Sequence, residues 1–380
     1  MMLRSVLLFV SLCFALPAQV AADIRIGSWN IEFLGADPKY RRDTPPRSDE
    51  DRIAIGKKVK ELGVAVLGVQ EICGEEPLKA VAAAAGPSWR AVLGTTGKWS
   101  DNKTQQGVGF VYDSIVVDLL YAEELLEFPS ELDGVSVFHR KPVTACFRHR
   151  KTGCDFRVVI VHLKAGRKAR DLQKRKAEAT HLREWVGKLL VDPKEDRDIV
   201  IMGDFNSTYG DDPEKMLESG GVMQYLDHQA TAPTIMHFDT PIDQFCVGQG
   251  FREVQRNSFV SHHVSGAKER LLWRKTYSDH FPVTLRMTPL ADDDPGSTFR
   301  RGPREQILPT MRRKPATINL DGAQWPLKKG TRVLVRGPGM SKSGKLIRLP
   351  VERGWVVIET EQGIRAYPME QVHSIEVLKQ

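Results

Sequence analysis

Ile199-Val200-Ile201-Met202-Gly203-Asp204-Phe205-Asn206 is the stretch that decides the fold. Its apolar run reads as a buried strand, Ile199 to Gly203, and the turn that follows presents two polar side chains, Asp204 and Asn206, at the strand's end. Working outward, the same arrangement recurs. Asp23 to Asn30 alternates as a strand and ends at Asn30 and Glu32, and Val64 to Gln70 ends at Gln70-Glu71. Phe156 to Leu163 carries His162, Ile242 to Val247 carries Asp243, and Asp279-His280 stands beside Phe281 to Met287. Strand ends framing a crevice are where open sheets place their sites. Taken singly, each residue has a plain structural use: a turn asparagine, a capping aspartate, a buried histidine with its bonds satisfied.

Between these strands lie helices. Ser48, with Asp51 three residues later, opens one that runs through Ile53, Val59 and Leu62. Ala169 to Leu190 carries Leu172, Leu182, Trp185, Val186 and Leu189 at helical spacing, with Arg167, Lys168, Arg170, Lys174, Arg175 and Lys176 at its start, read as a solvated face. Further strands are expected at Gly107 to Tyr112 and Val135 to Phe147. Because several strands are joined by turns and not by helices, two packed sheets of mixed pairing fit better than one parallel sheet. After Thr288 the pattern gives way to Asp292-Asp293-Asp294-Pro295-Gly296 and Arg/Pro-rich sequence, a linker over 289–317. Five short strands separated by Gly and Pro then suggest a small all-β barrel over 318–380.

A chain of 380 residues with 41% hydrophobic content suits one large domain plus a smaller one. Arg4, the apolar run Val6 to Leu16, and Val20 and Ala22 before Asp23 read as a signal peptide over 1–22, too short an apolar run to span a bilayer. Export to an oxidising compartment would leave Cys73, Cys146, Cys154 and Cys246. Cys146 and Cys154 flank a hairpin turn at Lys151-Thr152-Gly153, and all four are read as structural, disulfide-bonded or simply buried. No CxxC pair points to zinc. The net charge of +7 is unevenly spread: residues 300–380 hold 16 Lys/Arg against 7 Asp/Glu. Taking that tail and Arg4 away leaves residues 23–299 at −3, so the body alone makes no electrostatic case for a polyanion.

Taken together, the segments resemble the endonuclease/exonuclease/phosphatase superfamily, to which pancreatic-type deoxyribonuclease belongs. The resemblance runs through Ser28-Trp29-Asn30-Ile31-Glu32, Gly68-Val69-Gln70-Glu71-Ile72, Val161-His162-Leu163, Ile201-Met202-Gly203-Asp204-Phe205-Asn206, Ile242-Asp243-Gln244-Phe245 and Ser278-Asp279-His280-Phe281-Pro282-Val283, in family order. It implies a four-layer α/β sandwich with two packed mixed β-sheets over 23–288. The tail, through Lys329-Gly330-Thr331-Arg332-Val333, loosely resembles a Src-homology-3-like barrel.

The resemblance also implies a chemistry. Hydrolysis of a phosphodiester requires an anionic phosphate to be neutralised, a water to be activated and an alkoxide to depart in line. Hard oxygen ligands suit Mg2+, with Mn2+ or Ca2+ as substitutes, and the residues matching the metal positions are Asn30, Glu71 and Asp279. Those matching the catalytic positions are His162, Asp204, Asn206, Asp243 and His280. Asp204 and Asn206 would orient and deprotonate the water. His280 would act as base or phosphate ligand with Asp243 as its orienting carboxylate, and His162 as a donor to the phosphate or the leaving oxygen. Glu32 and Gln70, beside these positions, stay outside the set.

The inositol 5-phosphatase signature is absent, since this chain has Pro241-Ile242-Asp243-Gln244-Phe245 there. A sphingomyelinase-like enzyme is the alternative: His162-Leu163-Lys164-Ala165 is similar to that group's motif, but Asn257 to Tyr277 is too mixed in polarity for a membrane wedge. A protein that kept the fold and lost catalysis would need a broken site, and every expected residue is present. The expectation is therefore a secreted or periplasmic nuclease, a monomer without a transmembrane segment, that hydrolyses DNA or RNA. The loop Gly97 to Gly107 is a candidate for the groove, and the basic tail for contact with a polyanion or the cell envelope.

Overall fold

The computed structural model describes residues 23–37, 44–98, 105–193, 195–208, 210–226 and 232–290, together with the strands between 332 and 377. The expected signal peptide, nearly all of the linker and Trp99, Asn102 and Lys103 of the candidate groove loop lie outside the described residues. The chain separates into two compact units on either side of residues 309 and 310.

In the first unit the elements run β1 (Ile24–Leu34), α1 (Asp49–Glu61), β2 (Val66–Ile72), α2 (Glu75–Ala85), β3 (Trp89–Leu93), β4 (Gly107–Asp113), β5 (Val117–Glu124), β6 (Glu131–Leu132), β7 (Val135–Ser136) and β8 (Val143–His149). They continue through β9 (Asp155–His162), α3 (Ala169–Leu190), β10 (Ile199–Asp204), α4 (Asp212–Glu218), β11 (Met223–Tyr225), β12 (Asp243–Gly248), β13 (Val260–Ser261), α5 (Ala267–Thr276) and β14 (Val283–Met287). One six-stranded sheet has the order β13-β14-β1-β2-β4-β3, the other β11-β12-β10-β9-β8-β5. Both are mixed: β1 pairs parallel with β2 and β9 parallel with β10, while the other ladders are antiparallel.

Alternation along the strands builds the layers. Val158, Ile160, Val200, Met202 and Phe245 of the second sheet meet Ile26, Val66 and Phe110 of the first in one core between the sheets. Their neighbours Val159, Val161, Ile199 and Ile201 point the other way, onto Ala179, Leu182 and Val186 of α3. On the far face of the first sheet, Leu67 and Val69 pack with Ile55, Val59, Leu78 and Val81 of α1 and α2. Helices thus cover both outer faces of two stacked sheets, the α/β sandwich expected. α1 begins with the capping box read from the sequence: Asp51 N donates to Ser48 Oγ at 3.2 Å and Ser48 N to Asp51 Oδ2 at 2.9 Å.

Two expectations are corrected. The strand expected over Val135 to Phe147 is broken between β7 and β8, where Phe138 takes a left-handed φ of 44° and its N–H is claimed by Glu178 Oε1 at 2.8 Å. Ile53 is 47% exposed, and Ile55 takes its place beside Val59 and Leu62, which are buried as expected. Of the alternatives left open for the cysteines, the buried thiol holds for Cys146, Cys154 and Cys246: the β8–β9 register sets Cys146 opposite Arg157, which leaves Cys154 outside the cross-strand pair. The second unit contains β15 (Arg332–Gly337), β16 (Met340–Arg348), β17 (Trp355–Thr360), β18 (Gly363–Pro368) and β19 (Ser374–Val377). They form an antiparallel sheet in the order β18-β17-β16-β15-β19.

Candidate active site

Register brings the polar positions together. In the second sheet Asp204 lies directly between His162 on parallel β9 and Asp243 on antiparallel β12. The residues two places away, Met202, Ile160 and Phe245, face the inter-sheet core, so period-two alternation aims all three polar side chains into the same space. Asp243 therefore stands at the beginning of its strand and not at the end; the antiparallel direction of β12 carries it to the same edge. Asp279-His280 likewise precedes β14, which runs antiparallel to β1.

The first sheet needs irregular backbone to do the same. Asn30 shares the inward face of Ile26, but alternation alone would turn Glu71 outward, towards the side of Val69. The β2 ladders slip between Val69 and Ile72, and Glu71 adopts a left-handed φ of 59°, which re-aims its carboxylate. Asn206 is also left-handed, at 50°. Gly203, with φ 147°, has no room for a side chain: a Cβ there would lie 2.1 Å from Val161 O.

The contacts form one network. His280 Nδ1 lies 2.8 Å from Asp243 Oδ2, and its Nε2 lies 3.7 Å from Asp204 Oδ2. His162 Nε2 is 3.5 Å from the same Asp204 oxygen and 3.8 Å from Glu71 Oε1. Asn30 Nδ2 donates to Asp204 Oδ2 at 3.0 Å, and the other Asp204 oxygen accepts the Asn206 N–H at 2.9 Å. Asn206 Nδ2 donates to Leu163 O at 3.1 Å, which ties the turn to the end of β9. All eight residues singled out in the sequence converge on this edge.

Burial sets the charges. Desolvation raises Asp204 to about 6, with Asp243 adding to the rise and the His280 charge opposing it. Burial also pushes Glu71 up to about 7, and the nearby Asp279 carboxylate pushes further. The histidines are driven apart. Burial, Arg140 and His280 hold His162 well below its ordinary value. Burial pulls on His280 as well, but the carboxylates of Asp243, Asp279 and Asp204 outweigh it and hold that ring well above. Titrating pairs whose environments separate them in this way mark acid and base assignments.

The residues present fit a divalent cation. No described residue donates a hydrogen bond to the Glu71 carboxylate, and burial and the Asp279 carboxylate raise it despite the opposing charges of His280 and Arg140, so a further cation there is favourable. Asp204, Asp243 and His280 form another cluster, with ligand atoms within 4.8 Å of one another. The 2.8 Å contact inside it is a histidine–carboxylate hydrogen bond, so that cluster is a place for a proton.

Sequence reasoning left Glu32 and Gln70 outside the site, and the structure separates the two. Glu32 Oε2 accepts the Asp279 N–H at 3.1 Å and pairs with Arg47 at 3.1 Å, while Oε1 accepts from Arg274 Nε at 2.9 Å, so this buried carboxylate fixes the backbone of Asp279. Gln70 donates to Ser28 Oγ at 2.9 Å within the sheet. Arg140, which the sequence did not single out, donates to His162 O at 3.0 Å and Leu163 O at 3.0 Å. Of the basic cluster, Arg167, Lys168 and Arg170 are exposed as expected. Arg175 is not: it is buried and donates to Lys164 O and Gly166 O at 2.8 and 2.7 Å, bracing the loop after β9.

A family model described as Endonuclease/Exonuclease/phosphatase family matches residues 27–280, which encloses every one of these positions. The chain belongs to this family. Members of the family are hydrolases that act on phosphodiester or phosphate esters. A curated Thioalkalivibrio protein named Deoxyribonuclease is 24% identical over 201 residues, 52% of this chain and 50% of that protein, so the chain spans half the length of this relative. Among solved structures, an endonuclease/exonuclease/phosphatase family protein from Bacteroides thetaiotaomicron aligns with a TM-score of 0.51 at 18% identity, over 70% of this chain and 98% of that one. A mannosyl-6-phosphatase from the same organism gives 0.51 at 18% identity over 69% and 98%. The human Nocturnin catalytic domain with bound sulfate gives 0.50 at 13% identity over 70% and 93%. These likenesses show the family fold.

Proposed function

We propose that the chain is a metal-dependent phosphodiesterase acting on nucleic acid, with DNA as the first substrate and RNA as the second. The observation that carries this reading is the buried His280–Asp243 pair placed 3.7 Å from Asp204, on the same edge as the Glu71 carboxylate. Asp204, raised to about 6 and oriented by Asn30 and the Asn206 N–H, takes a proton from the attacking water as its oxygen bonds to phosphorus. The ester oxygen leaves as its bond to phosphorus breaks, and His280, kept protonated by Asp243, supplies its proton. His162, kept neutral, donates to a phosphoryl oxygen. Glu71, Asp279 and Asn30 are the residues that would hold a divalent cation, Mg2+ in the first instance with Mn2+ or Ca2+ as substitutes, and that ion supplies charge neutralisation and polarisation of the phosphoryl group.

Nucleic acid is favoured by the exposed Arg167, Lys168 and Arg170 on the segment that follows His162, by the basic tail, and by the name of the Thioalkalivibrio relative. Lipid phosphodiester is the second reading, since α5 exposes Leu271 and Leu272, at 57% and 53%, between Arg270 and Arg274. We further assign residues 1–22 to export, to the periplasm or beyond, the 318–380 strands to a small barrel that holds a polyanion or the envelope, and the monomer as the working form. Incubation with duplex DNA, RNA, sphingomyelin vesicles and p-nitrophenyl phosphate, each with Mg2+ or with chelator, tests the reading. Mg2+-dependent cleavage of DNA is expected, and turnover of sphingomyelin alone, or of the monoester alone, would overturn it.

A further inference from the structure

Alternation on β12 sends Asp243 and Phe245 inward, between the sheets, and Gln244 and Cys246 outward, beneath α4. The buried Gln244 amide nitrogen donates to three acceptors: Glu214 Oε1 at 2.7 Å, Ser207 O at 2.8 Å and Pro241 O at 3.2 Å. Two of these are backbone carbonyls, which only accept, so the amide nitrogen is the atom that faces them and Glu214 is an acceptor too. Ser207 closes the turn that presents Asp204 and Asn206, and Pro241 leads into Ile242 and Asp243. Glu214, on α4, is 1% exposed. One amide thus ties together the two backbone segments that carry Asp204, Asn206 and Asp243, from the face opposite the site.

Glu214 Oε2 is buried and has no hydrogen-bond partner among the described residues. Burial pushes the carboxyl up to about 8; the Gln244 hydrogen bond opposes the rise, and the charges of Asp211 and Glu218 add to it. The other titratable groups that face it are Tyr225 on β11 and Cys246 on β12. Phe205, in the turn itself, packs edge-on against Tyr225 with ring centres 5.3 Å apart, and both are buried. The cations that α3 brings to α4 are engaged elsewhere: Arg175 with Lys164 O and Gly166 O, Lys176 with Asp212 at 3.2 Å, and Arg183 with Ser219 Oγ at 2.7 Å. A charge on Glu214 therefore meets acids, a phenol and a thiol, and is relieved by moving α4 towards water, which draws Glu214 off Gln244. Its contribution to the fold is complete below pH 4.5 and is lost as pH rises through about 8.

We infer that Gln244 is a positioning residue for hydrolysis and that Glu214 is its latch, holding the Asp204–Asn206 turn against the Asp243 segment and letting go of it in alkaline solution. This rests on the phosphodiesterase reading and adds to it what fixes the water-activating turn. The role separates two quantities that a merely structural strut would move together. Asn30, Glu71 and Asp279 come from the first sheet and its flank, so opening the clasp leaves the cation in place. Asp204 and Asn206 act on the attacking water, so the same opening lowers kcat and spares KM.

The test follows Mg2+-dependent hydrolysis of bis(4-nitrophenyl) phosphate by the full chain at about pH 7 and about pH 9, for wild type, Glu214→Gln and Gln244→Met. Amide hydrogen exchange over 204–208 and 241–243 is measured at the same two pH values, and Mn2+ affinity by calorimetry at the lower one. Gln244→Met keeps the length of the side chain without its N–H groups; kcat falls at least about tenfold, while KM and Mn2+ affinity stay within about twofold. Glu214→Gln keeps an acceptor for Gln244 and cannot ionise. Its ratio of kcat at the higher pH to kcat at the lower exceeds that of wild type by about fivefold, and at the higher pH its 204–208 amides exchange about fivefold more slowly than those of wild type. Equal ratios and equal exchange in wild type and Glu214→Gln would overturn the latch. Wild-type kcat in Gln244→Met, or a joint loss of kcat and Mn2+ affinity, would overturn the positioning role. If Gln244→Met does not fold, the comparison of wild type with Glu214→Gln decides by itself. A wild type that hydrolyses no diester, with the exchange difference present, would contradict the phosphodiesterase reading and leave the latch standing.

Discussion

The two sheets reach the same edge with different chemistry. The first presents Asn30, Glu71 and Asp279, and Glu32 holds the Asp279 backbone in place. The second presents His162, Asp204 and Asp243 in one continuous register, and His280 crosses from the first sheet's side to pair with Asp243 at 2.8 Å. In the first group burial and the Asp279 carboxylate raise Glu71, which suits a cation; in the second a buried acid and two unlike histidines suit the movement of a proton. The contrast extends to the backbone. The second sheet delivers its side chains by regular alternation, whereas the first needs a slipped ladder and left-handed residues at Glu32 and Glu71.

The largest effects should come from breaking the proton-handling half. Asp204→Ala and His280→Ala should each lower kcat by about 10⁴-fold while circular dichroism stays native. Asp243→Asn keeps the shape but removes the charge that holds His280 protonated, and should cost about 10³-fold in kcat with the alkaline limb of the pH–rate profile displaced to lower pH. In the other half, Glu32→Ala strands the Arg47 guanidinium, whose side chain is 2% exposed, and should destabilise the fold by about 3 kcal/mol in urea denaturation.

A smaller effect has the opposite sign. Burial and Asp279 push the Glu71 carboxyl up to about 7 in the folded state, above its ordinary value of 4.5, so the metal-free fold loses stability as pH rises from below 4.5 through 7. Glu71→Gln should therefore stabilise the chelator-treated protein by about 2 kcal/mol at pH 8 and by almost nothing at pH 4, read from melting temperatures, while abolishing turnover.

Much of this half-and-half arrangement was legible in the sequence. Apolar runs that end in Asp204-Phe205-Asn206 or Gln70-Glu71 signal both a strand and what it delivers, and the capping box at Ser48 located α1 to the residue. Glu32 was not legible as a positioning group, because its partners Arg47 and Arg274 meet it only through tertiary packing. Arg140 was hidden for a related reason: Val135 to Phe147 has the composition of one strand, and the break comes from Glu178, on α3, capturing the Phe138 N–H. α5 was obscure because its pattern is inverted, with Leu271 and Leu272 exposed and Trp273 buried against Trp29 and Phe281.

The division into a cation half and a proton half is tested most directly by calorimetric titration of Mn2+ into wild type, Glu71→Gln and Asp243→Asn. The account predicts that Asp243→Asn binds Mn2+ like wild type and that Glu71→Gln binds at least about tenfold more weakly, as for loss of a principal carboxylate ligand. Loss of Mn2+ binding in Asp243→Asn with retention in Glu71→Gln would contradict it.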